Sequence, residues 1–337
     1  MSSPPVSLKS AGNGAVREGV VELAAPFALH HGGELGAARL GWRLAGDARL
    51  PVVVALGGIS AHRRVFDDSE PRAGWWHEVA GPGRALDTTR CCVLGIDYLG
   101  GSGESSKPPA AEVPLSISSR DQAEALRGLL DHLGLGRIRA ILGASYGGMV
   151  ALAFGERYPE RVGRLLVISA ADRAHPMATA WRCVQRRTVR FAAQQGCAGG
   201  GLELARALAM TTYRSPEEFR ARFGAPPTRV NGRFVFSVEE YLFARGRDYA
   251  ARVRADEFLC LSESIDLHEV DGRCIRVPTT VIAVREDQLV PIADMRALVA
   301  RLPEAQLHEI SSPHGHDAFL KEGGQLRPTF ACIYGEC

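Results

Sequence analysis

A serine enclosed by glycines is the most informative residue of this 337-residue sequence. Ser145 lies in the segment GASYG, residues 143–147, which has the pattern G-x-S-x-G. A buried-strand pattern precedes the segment and a helical pattern follows it, and a nucleophilic serine on a sharp turn requires that setting. The turn would present the serine Oγ at the carboxyl edge of a sheet, where open α/β sheets bind ligands. We therefore predict that Ser145 is a nucleophile.

A nucleophilic serine needs a base, and the base needs a group that orients it. On this kind of turn the residues follow in the order serine, acid, histidine. Asp287 and His316 come just after two later predicted strands, with Glu286 and His314 as neighbouring alternatives. We prefer Asp287 for its place in D-x-L-V-P, the usual loop after this strand. We prefer His316 because it stands directly before a helical run, Ala-Phe-Leu.

Two backbone N–H groups must also point at the charge that develops on the attacked carbonyl oxygen. One is expected from Tyr146, directly after the nucleophile, and the other from the loop after an early apolar strand. That loop contains Gly57, Gly58 and Ile59, and its glycines allow the backbone to approach a substrate closely. The sequence does not decide which of these three residues donates.

Strands that alternate with helices must position these residues. Apolar, often β-branched runs bounded by turn residues predict buried strands. They occur at residues 51–58, 90–97, 138–143, 163–170, 277–284 and 306–311. The alternation predicts an α/β fold with a mostly parallel central sheet flanked by helices on both faces.

The alternation breaks between residues 172 and 270, where the pattern is helical and contains no run typical of a core strand. We interpret residues 172–270 as a helical cap inserted between two parts of one core, residues 21–171 and 271–337. Residues 1–20 lack an apolar stretch, and we expect them to be a disordered lead-in rather than a secretory signal.

Composition excludes several classes of function. Lys and Arg number 40 and Asp and Glu number 38, so the formal charge of +2 argues against a nucleic-acid partner. No apolar run is long enough to span a membrane. The eight cysteines are scattered without metal-ligand spacing, which predicts no metal site. Free thiols without an export signal predict a cytoplasmic protein.

Several segments resemble the homoserine O-acyltransferases of the α/β-hydrolase superfamily, the acetyl- and succinyltransferases of methionine biosynthesis. The segment GHDAFL at residues 315–320 is similar to a motif of that family, and it is more specific than the G-x-S-x-G pattern. Further similar segments are GLELAR at residues 201–206, TYRS at 212–215 and GWW with GPG and DT within 74–88. The resemblance covers roughly residues 25 to 325.

The resemblance implies an α/β-hydrolase fold with a role for each matching residue. Ser145 would be the acylated nucleophile, His316 its base and Asp287 the partner of that base. Arg206 would pair with the homoserine carboxylate, and Asp317 would bind the ammonium group. The two charges of a free amino acid make a guanidinium and a carboxylate suitable partners. The resemblance further implies a homodimer through the cap helices, acyl-CoA as a substrate, and no cofactor.

The sequence departs from the family near the expected acyl-donor side, for example at Tyr146, where the family usually has Met. The donor would be acetyl-CoA or succinyl-CoA, transferred by a ping-pong mechanism. The additional carboxylate of succinyl needs a basic partner, and Arg63 and Arg64 follow the 57–59 loop closely, which favours succinyl-CoA. Alternatives are serine as the acceptor, since one methylene discriminates weakly, a hydrolase of small esters, and a binding protein without catalysis.

Overall fold

The computed structural model describes residues 7–11, 14–47, 49–67, 69–70, 73–108 and 115–335. The strands are β1 (Ser7–Ala11), β2 (Gly14–Glu22), β3 (Phe27–Ala28), β4 (Glu34–Leu35), β5 (Arg39–Ala45), β6 (Val52–Leu56), β7 (Ala80–Gly81), β8 (Leu86–Asp87), β9 (Cys92–Ile96), β10 (Ala140–Ala144), β11 (Leu165–Ile168), β12 (Thr228–Val230), β13 (Arg233–Val235), β14 (Thr279–Val284) and β15 (Ala305–Ile310). The α-helices are α1 (Ser119–His132), α2 (Tyr146–Arg157), α3 (Pro176–Gln194), α4 (Ala198–Tyr213), α5 (Pro216–Phe223), α6 (Ser237–Ala250), α7 (Ala255–Asp266), α8 (Ile292–Arg301), α9 (Ala318–Lys321) and α10 (Gly323–Phe330).

One large sheet organises the described part of the chain. Its nine strands lie in the order β1-β2-β5-β9-β6-β10-β11-β14-β15. The six strands from β9 to β15 run parallel, whereas β1, β2 and β5 form an antiparallel edge. The predicted mostly parallel sheet, and with it the α/β-hydrolase fold class, is confirmed.

Apolar layers cover both faces of the sheet. In β6, Val54 and Leu56 pack in a core with residues of α1, α2 and α8. Val53 and Ala55 point to the opposite face and pack in a second core, which includes Trp76 and residues of α10. Burial on both faces explains why the parallel strands are continuous apolar runs rather than alternating ones.

The N-terminal segment differs from the prediction of a disordered lead-in over residues 1–20. Residues 7–11 and 14–20 belong to β1 and β2, while residues 1–6 and 12–13 lie outside the described residues. β2 pairs with β5 along most of its length, from Val16 opposite Ala45 to Glu22 opposite Arg39. The strand forms because this non-local ladder supplies partners for its backbone groups, which composition alone does not reveal.

The chain leaves the sheet between β11 and β14. Five helices, α3 to α7, and the short hairpin β12–β13 occupy this interval, and the two hairpin strands pair only with each other. The helices lie within the range 172–270, and we call this range the cap segment. Within the described part of the chain, every helix is too short or too polar to cross a lipid bilayer.

Candidate active site

The turn between β10 and α2 presents Ser145. Its φ angle is +55°, in the left-handed region that residues with a side chain rarely adopt outside functional turns. A Cβ at Gly143 would collide with the carbonyl of Gly147, and one at Gly147 would collide with the carbonyl of Leu56. The neighbouring glycines are therefore required by close backbone approach, as the G-x-S-x-G pattern predicts.

A chain of hydrogen bonds joins the three residues that the sequence predicted as a catalytic set. Ser145 Oγ lies 2.8 Å from His316 Nε2, and His316 Nδ1 lies 2.7 Å from Asp287 Oδ2. The other oxygen of Asp287 accepts hydrogen bonds from the backbone N–H groups of Leu289 and Val290 at 2.8 and 3.0 Å. The carboxylate is thus held rigidly, and it orients the imidazole toward the serine.

The two neighbouring alternatives contact other groups. Glu286 accepts hydrogen bonds from Ser311 Oγ and, at 2.8 Å, from the Ser312 N–H, so it braces the loop after β15. His314 Nδ1 lies 2.6 Å from the guanidinium of Arg214. Of the two acids and two histidines weighed from the sequence, Asp287 and His316 are the pair connected to Ser145.

The pKa of His316 is raised above its ordinary value of 6.5. Burial alone would lower it, because an imidazolium loses hydration in the interior. The adjacent Asp287 carboxylate, with a smaller contribution from Asp317, outweighs burial. The arrangement therefore favours an imidazole that readily takes a proton.

Two of the predicted oxyanion residues lie in the cavity beside the serine. Gly58 and Ile59 line it, and a Cβ added at Gly58 would lie 3.9 Å from Ser145 Oγ. Gly57 lies behind them, and its carbonyl accepts hydrogen bonds from the Gly147 N–H at 2.9 Å and from Tyr98 at 2.7 Å. Gly58 is thus the member of the loop that the geometry places against the nucleophile.

Tyr146 begins α2, so its N–H has no acceptor within the helix and is free to face a ligand. Its side chain is fully buried and packs edge-on against Tyr98, with ring centroids 5.0 Å apart. The Tyr146 hydroxyl lies 2.5 Å from Ser264 Oγ on α7. Tyr98, which links the residue after the nucleophile to the carbonyl of Gly57, was not predicted from the sequence.

Ser145 opens into a cavity of about 330 Å³ between the sheet and the cap segment. Arg206 and Asp317, the predicted amino-acid ligands, both line it. The Arg206 guanidinium lies 5.0 and 4.8 Å from the ring centroids of Tyr213 and Tyr249, and it makes no ion pair with the described residues. Burial disfavours the charged guanidinium of Arg206 and by itself would lower its pKa. The neighbouring Tyr213, Tyr249 and Asp317 outweigh burial, so the pKa is raised. Asp317 lies 3.2 Å from the Nε of Arg214.

The structure does not bring Arg63 or Arg64 to the cavity, and the expectation that they bind a donor carboxylate is corrected. Arg63 pairs with Glu104 and with Asp97, at 3.3 Å. Arg64 is half-exposed and lies 3.6 Å from Asp67. The carboxylates that neutralise Arg63 come from a distant part of the chain, which its sequence neighbourhood does not show, whereas the partner of Arg64 is only three residues away.

Other polar residues, not predicted from the sequence, also line the cavity. They include Ser169, Arg173, Arg182, Gln185 and Arg252. Ser169 follows β11 directly, so its place at a strand end was a usable signal. The arginines lie in or beside helices of the cap segment, where an arginine is more often a solvated surface residue, and nothing local distinguishes them.

A family model described as alpha/beta hydrolase fold matches residues 51–323. The crystal structure of a homoserine O-acetyltransferase from Bacillus anthracis superposes with a TM-score of 0.82 at 18% identity, covering 95% of this chain and 97% of that one. Esterase E22 superposes equally well, with a TM-score of 0.82 at 20% identity and coverage of 95% and 99%. The protein is thus an α/β hydrolase in fold, and at these identities the structural likeness extends no further.

Sequence relatives are more specific. The homoserine O-succinyltransferase of Xanthomonas campestris is 45% identical over 89% of this chain and 80% of its own length. The homoserine O-acetyltransferase of Symbiobacterium thermophilum is 36% identical over 82% of both chains. The serine O-succinyltransferase of Litchfieldella anticariensis is 32% identical over 92% of this chain and 96% of its own. The chain belongs to the homoserine O-acyltransferase family, and the resemblance seen in the sequence is confirmed.

Proposed function

We propose that this protein transfers an acyl group from an acyl-CoA to the hydroxyl of L-homoserine. The observation that carries the proposal is one cavity with two sets of groups. The hydrogen-bonded Ser145, His316 and Asp287 supply a nucleophile and base, and Arg206 and Asp317 supply a cation and an anion. A free amino acid requires both charges for its recognition, whereas hydrolysis of a simple ester requires neither.

In the first half-reaction His316 takes the proton of Ser145, and the serine Oγ attacks the thioester carbonyl. The oxyanion accepts hydrogen bonds from the N–H of Tyr146 and from the 57–59 loop, with Gly58 the favoured donor. The carbon–sulfur bond then breaks, and the departing CoA sulfur takes the proton from His316. An acyl-serine remains.

In the second half-reaction homoserine binds with its carboxylate on Arg206 and its ammonium on Asp317. His316 removes the proton of the homoserine hydroxyl, whose oxygen attacks the acyl carbonyl. The ester bond to Ser145 breaks, and His316 returns the proton to the serine. Transfer exceeds hydrolysis when the acceptor is held close and water is kept out, and the cap segment covers the cavity for that purpose.

Succinyl-CoA is the preferred donor in this proposal, with acetyl-CoA the alternative, and no cofactor takes part. The name of the 45% identical relative supports succinyl transfer. A serine O-succinyltransferase among the relatives makes serine the second candidate acceptor. We further propose that the enzyme is a cytoplasmic homodimer that serves methionine biosynthesis. Among the described residues seven cysteines are free thiols, which suits a reducing compartment.

Thiol release from succinyl-CoA or acetyl-CoA, followed with a thiol reagent, tests the proposal. Each donor is combined with L-homoserine, L-serine or buffer. Propanolamine, which is homoserine without its carboxylate, and γ-hydroxybutyrate, which lacks the ammonium, serve as matched acceptors. We expect rapid release that requires homoserine, and weak release with either acceptor that lacks one charge.

Ser145→Ala is the control for the nucleophile, and we expect it to lower the rate by roughly 10³-fold or more. Release at the same rate with and without an amino acid would mean hydrolysis, and the roles of Arg206 and Asp317 would then be wrong. Equal turnover of homoserine and propanolamine would contradict only the role of Arg206 and would leave that of Asp317 in place.

A further inference from the structure

Ser169 lies beside the turn that carries the nucleophile, and its buried hydroxyl group has no hydrogen-bond partner among the described residues. Its side chain is 1% exposed, it lines the cavity, and its Oγ makes no hydrogen bond with the described residues. Its φ angle is +49°, again in the left-handed region. The preceding residue, Ile168, accepts the hydrogen bond of the Ser145 N–H at 2.8 Å, so Ser169 lies next to the turn that carries the nucleophile. Buried polar groups are nearly always satisfied, and an unsatisfied one on a residue that lines a cavity points to a polar ligand.

A buried cluster with excess positive charge adjoins the same cavity. Arg182 lies 2.6 Å from one oxygen of Asp266, and Arg186 lies 2.6 Å from the other. These three side chains are each about a tenth exposed. Burial would raise the pKa of Asp266, but hydrogen bonds from the two arginines lower it, so the carboxylate stays ionised. Two guanidinium groups against one carboxylate leave one positive charge uncompensated.

Arg182 is the member of this cluster that reaches the cavity. Its Nε and Nη2 bind Asp266, whereas its Nη1 has no partner among the described residues. Arg182 also lies close enough to His316 to oppose protonation of the imidazole. Arg182 shares its counter-charge, Asp266, with Arg186, and a buried cluster with a net charge is costly, so its net positive charge close to the reacting atoms favours an anionic ligand.

The balance of charge in the cavity supports this. Its described lining contains four arginines and one carboxylate, that of Asp317. Arg206, with Asp317, is already assigned to the two charges of the amino acid. Arg182 and Ser169 lie on different elements, α3 and the end of β11, and the acceptor leaves them unused. A donor with an acetyl group would offer them no anion.

We propose that Ser169 and Arg182 form a second anion subsite, which binds the distal carboxylate of a dicarboxylic acyl group such as succinyl. This inference rests on the proposed acyl transfer and deepens it by assigning the class of donor. The subsite replaces the discarded Arg63 and Arg64 as the determinant of a charged acyl chain.

Succinyl-CoA and butyryl-CoA test the subsite, because the two acyl chains have the same length and differ in a terminal carboxylate against a methyl group. Acylation of Ser145 without acceptor is followed by intact-protein mass spectrometry, and kcat/KM is measured with L-homoserine. We expect the wild-type protein to favour succinyl-CoA by about 10-fold or more. Arg182→Gln should lower kcat/KM for succinyl-CoA by about 10- to 100-fold, and Ser169→Ala by about 5-fold, with butyryl-CoA changed less than about 3-fold.

Arg64→Gln is the matched control outside the cavity and should leave both donors unchanged. Ser169→Ala removes only an unbonded hydroxyl, so it decides the matter if Arg182→Gln does not fold. Equal use of the two donors by the wild-type protein, or equal losses for both donors in Ser169→Ala, would overturn the subsite while leaving acyl transfer intact. Failure of every acyl-CoA to acylate Ser145 would instead overturn the proposed function, and the subsite with it.

Discussion

Single residues around His316 set its proton affinity. The Asp287 and Asp317 carboxylates raise the pKa of the imidazole, while burial and the Arg182 guanidinium lower it. His316 takes the proton of Ser145 only when it is neutral, so acylation should rise with pH as His316 loses its proton. Because the net effect raises the pKa of His316, the increase in the acylation rate should be centred above pH 6.5, the ordinary pKa of histidine.

Asp317→Asn removes one of the two negative charges that face His316 and should lower its pKa. The acidic limb of the acylation rate should therefore move to lower pH. The dependence of kcat/KM for the acyl-CoA on pH reports the free enzyme and measures this shift. Asp256→Asn, at a half-exposed site on α7, is the control and should leave the limb in place. A limb that stays put or moves upward in Asp317→Asn would refute the assignment.

At the scale of elements, two tyrosines connect the nucleophile turn to the loop after β6. Tyr146 packs on Tyr98, and Tyr98 donates its hydrogen bond to the carbonyl of Gly57, next to the candidate oxyanion donor Gly58. The buried ring of Tyr146 supports Tyr98, so the loop is held by packing from α2 as well as by backbone bonds.

Tyr98→Phe keeps the ring and removes the hydrogen bond to Gly57. We expect kcat to fall by about 3- to 10-fold, the range of one neutral hydrogen bond, because the loop no longer holds its N–H groups against the oxyanion. The KM for homoserine should be unchanged. Tyr158→Phe removes a hydroxyl that is bonded to Glu124 away from the cavity, and steady-state kinetics of both variants provide the comparison. An equal loss in both variants, or an effect on KM alone, would contradict the role of Tyr98.

At the scale of the whole molecule, the cap segment forms hydrogen bonds with the loops that carry Asp287 and His316. The Ser215 N–H donates to the carbonyl of Pro313 at 3.1 Å, and the side chain of Gln288 donates to the carbonyl of Arg214 at 2.9 Å. The same Arg214 lies against Asp317. The cap segment therefore helps to position the residues after β14 and β15 as well as covering the cavity.

The outer surface of the cap segment supports the proposed dimer. Met177, Val184 and Phe191 recur at seven-residue spacing on α3 and are 53%, 56% and 60% exposed. Seven residues are nearly two helical turns, so the three side chains form one apolar stripe. We expect the wild-type protein to sediment as a dimer, and a variant with both Val184→Glu and Phe191→Glu to sediment as a monomer.

Phe234→Glu alters an equally exposed phenylalanine on the β12–β13 hairpin and serves as the control, which should remain dimeric. Analytical ultracentrifugation distinguishes the two states. A monomeric wild-type protein, or a double variant that stays dimeric, would refute an interface at this stripe.

Local signals explain what could be predicted. The apolar runs of β6, β10, β11 and β14 and the glycines around Ser145 depend on neighbours in the sequence, and the structure has them where the pattern predicts. The order of serine, acid and histidine follows because residues after parallel strands meet at one edge of the sheet. The strand β2 was missed because its partner β5 begins well downstream, and β1 was missed with it because β1 pairs with β2.

The sequence by itself therefore determined the fold class, the family and the residues that meet at Ser145. Strand periodicity and turn geometry depend on residues that are close together in the chain, so short segments are enough to predict them. Only the tertiary structure decided which charges face the cavity. Arg63 is neutralised by Asp97 and Glu104, whereas Arg182 shares Asp266 with Arg186 and retains an excess of charge. The physical reason is that an ion pair depends on which side chains folding brings together, and these partners are up to 84 residues apart in the chain.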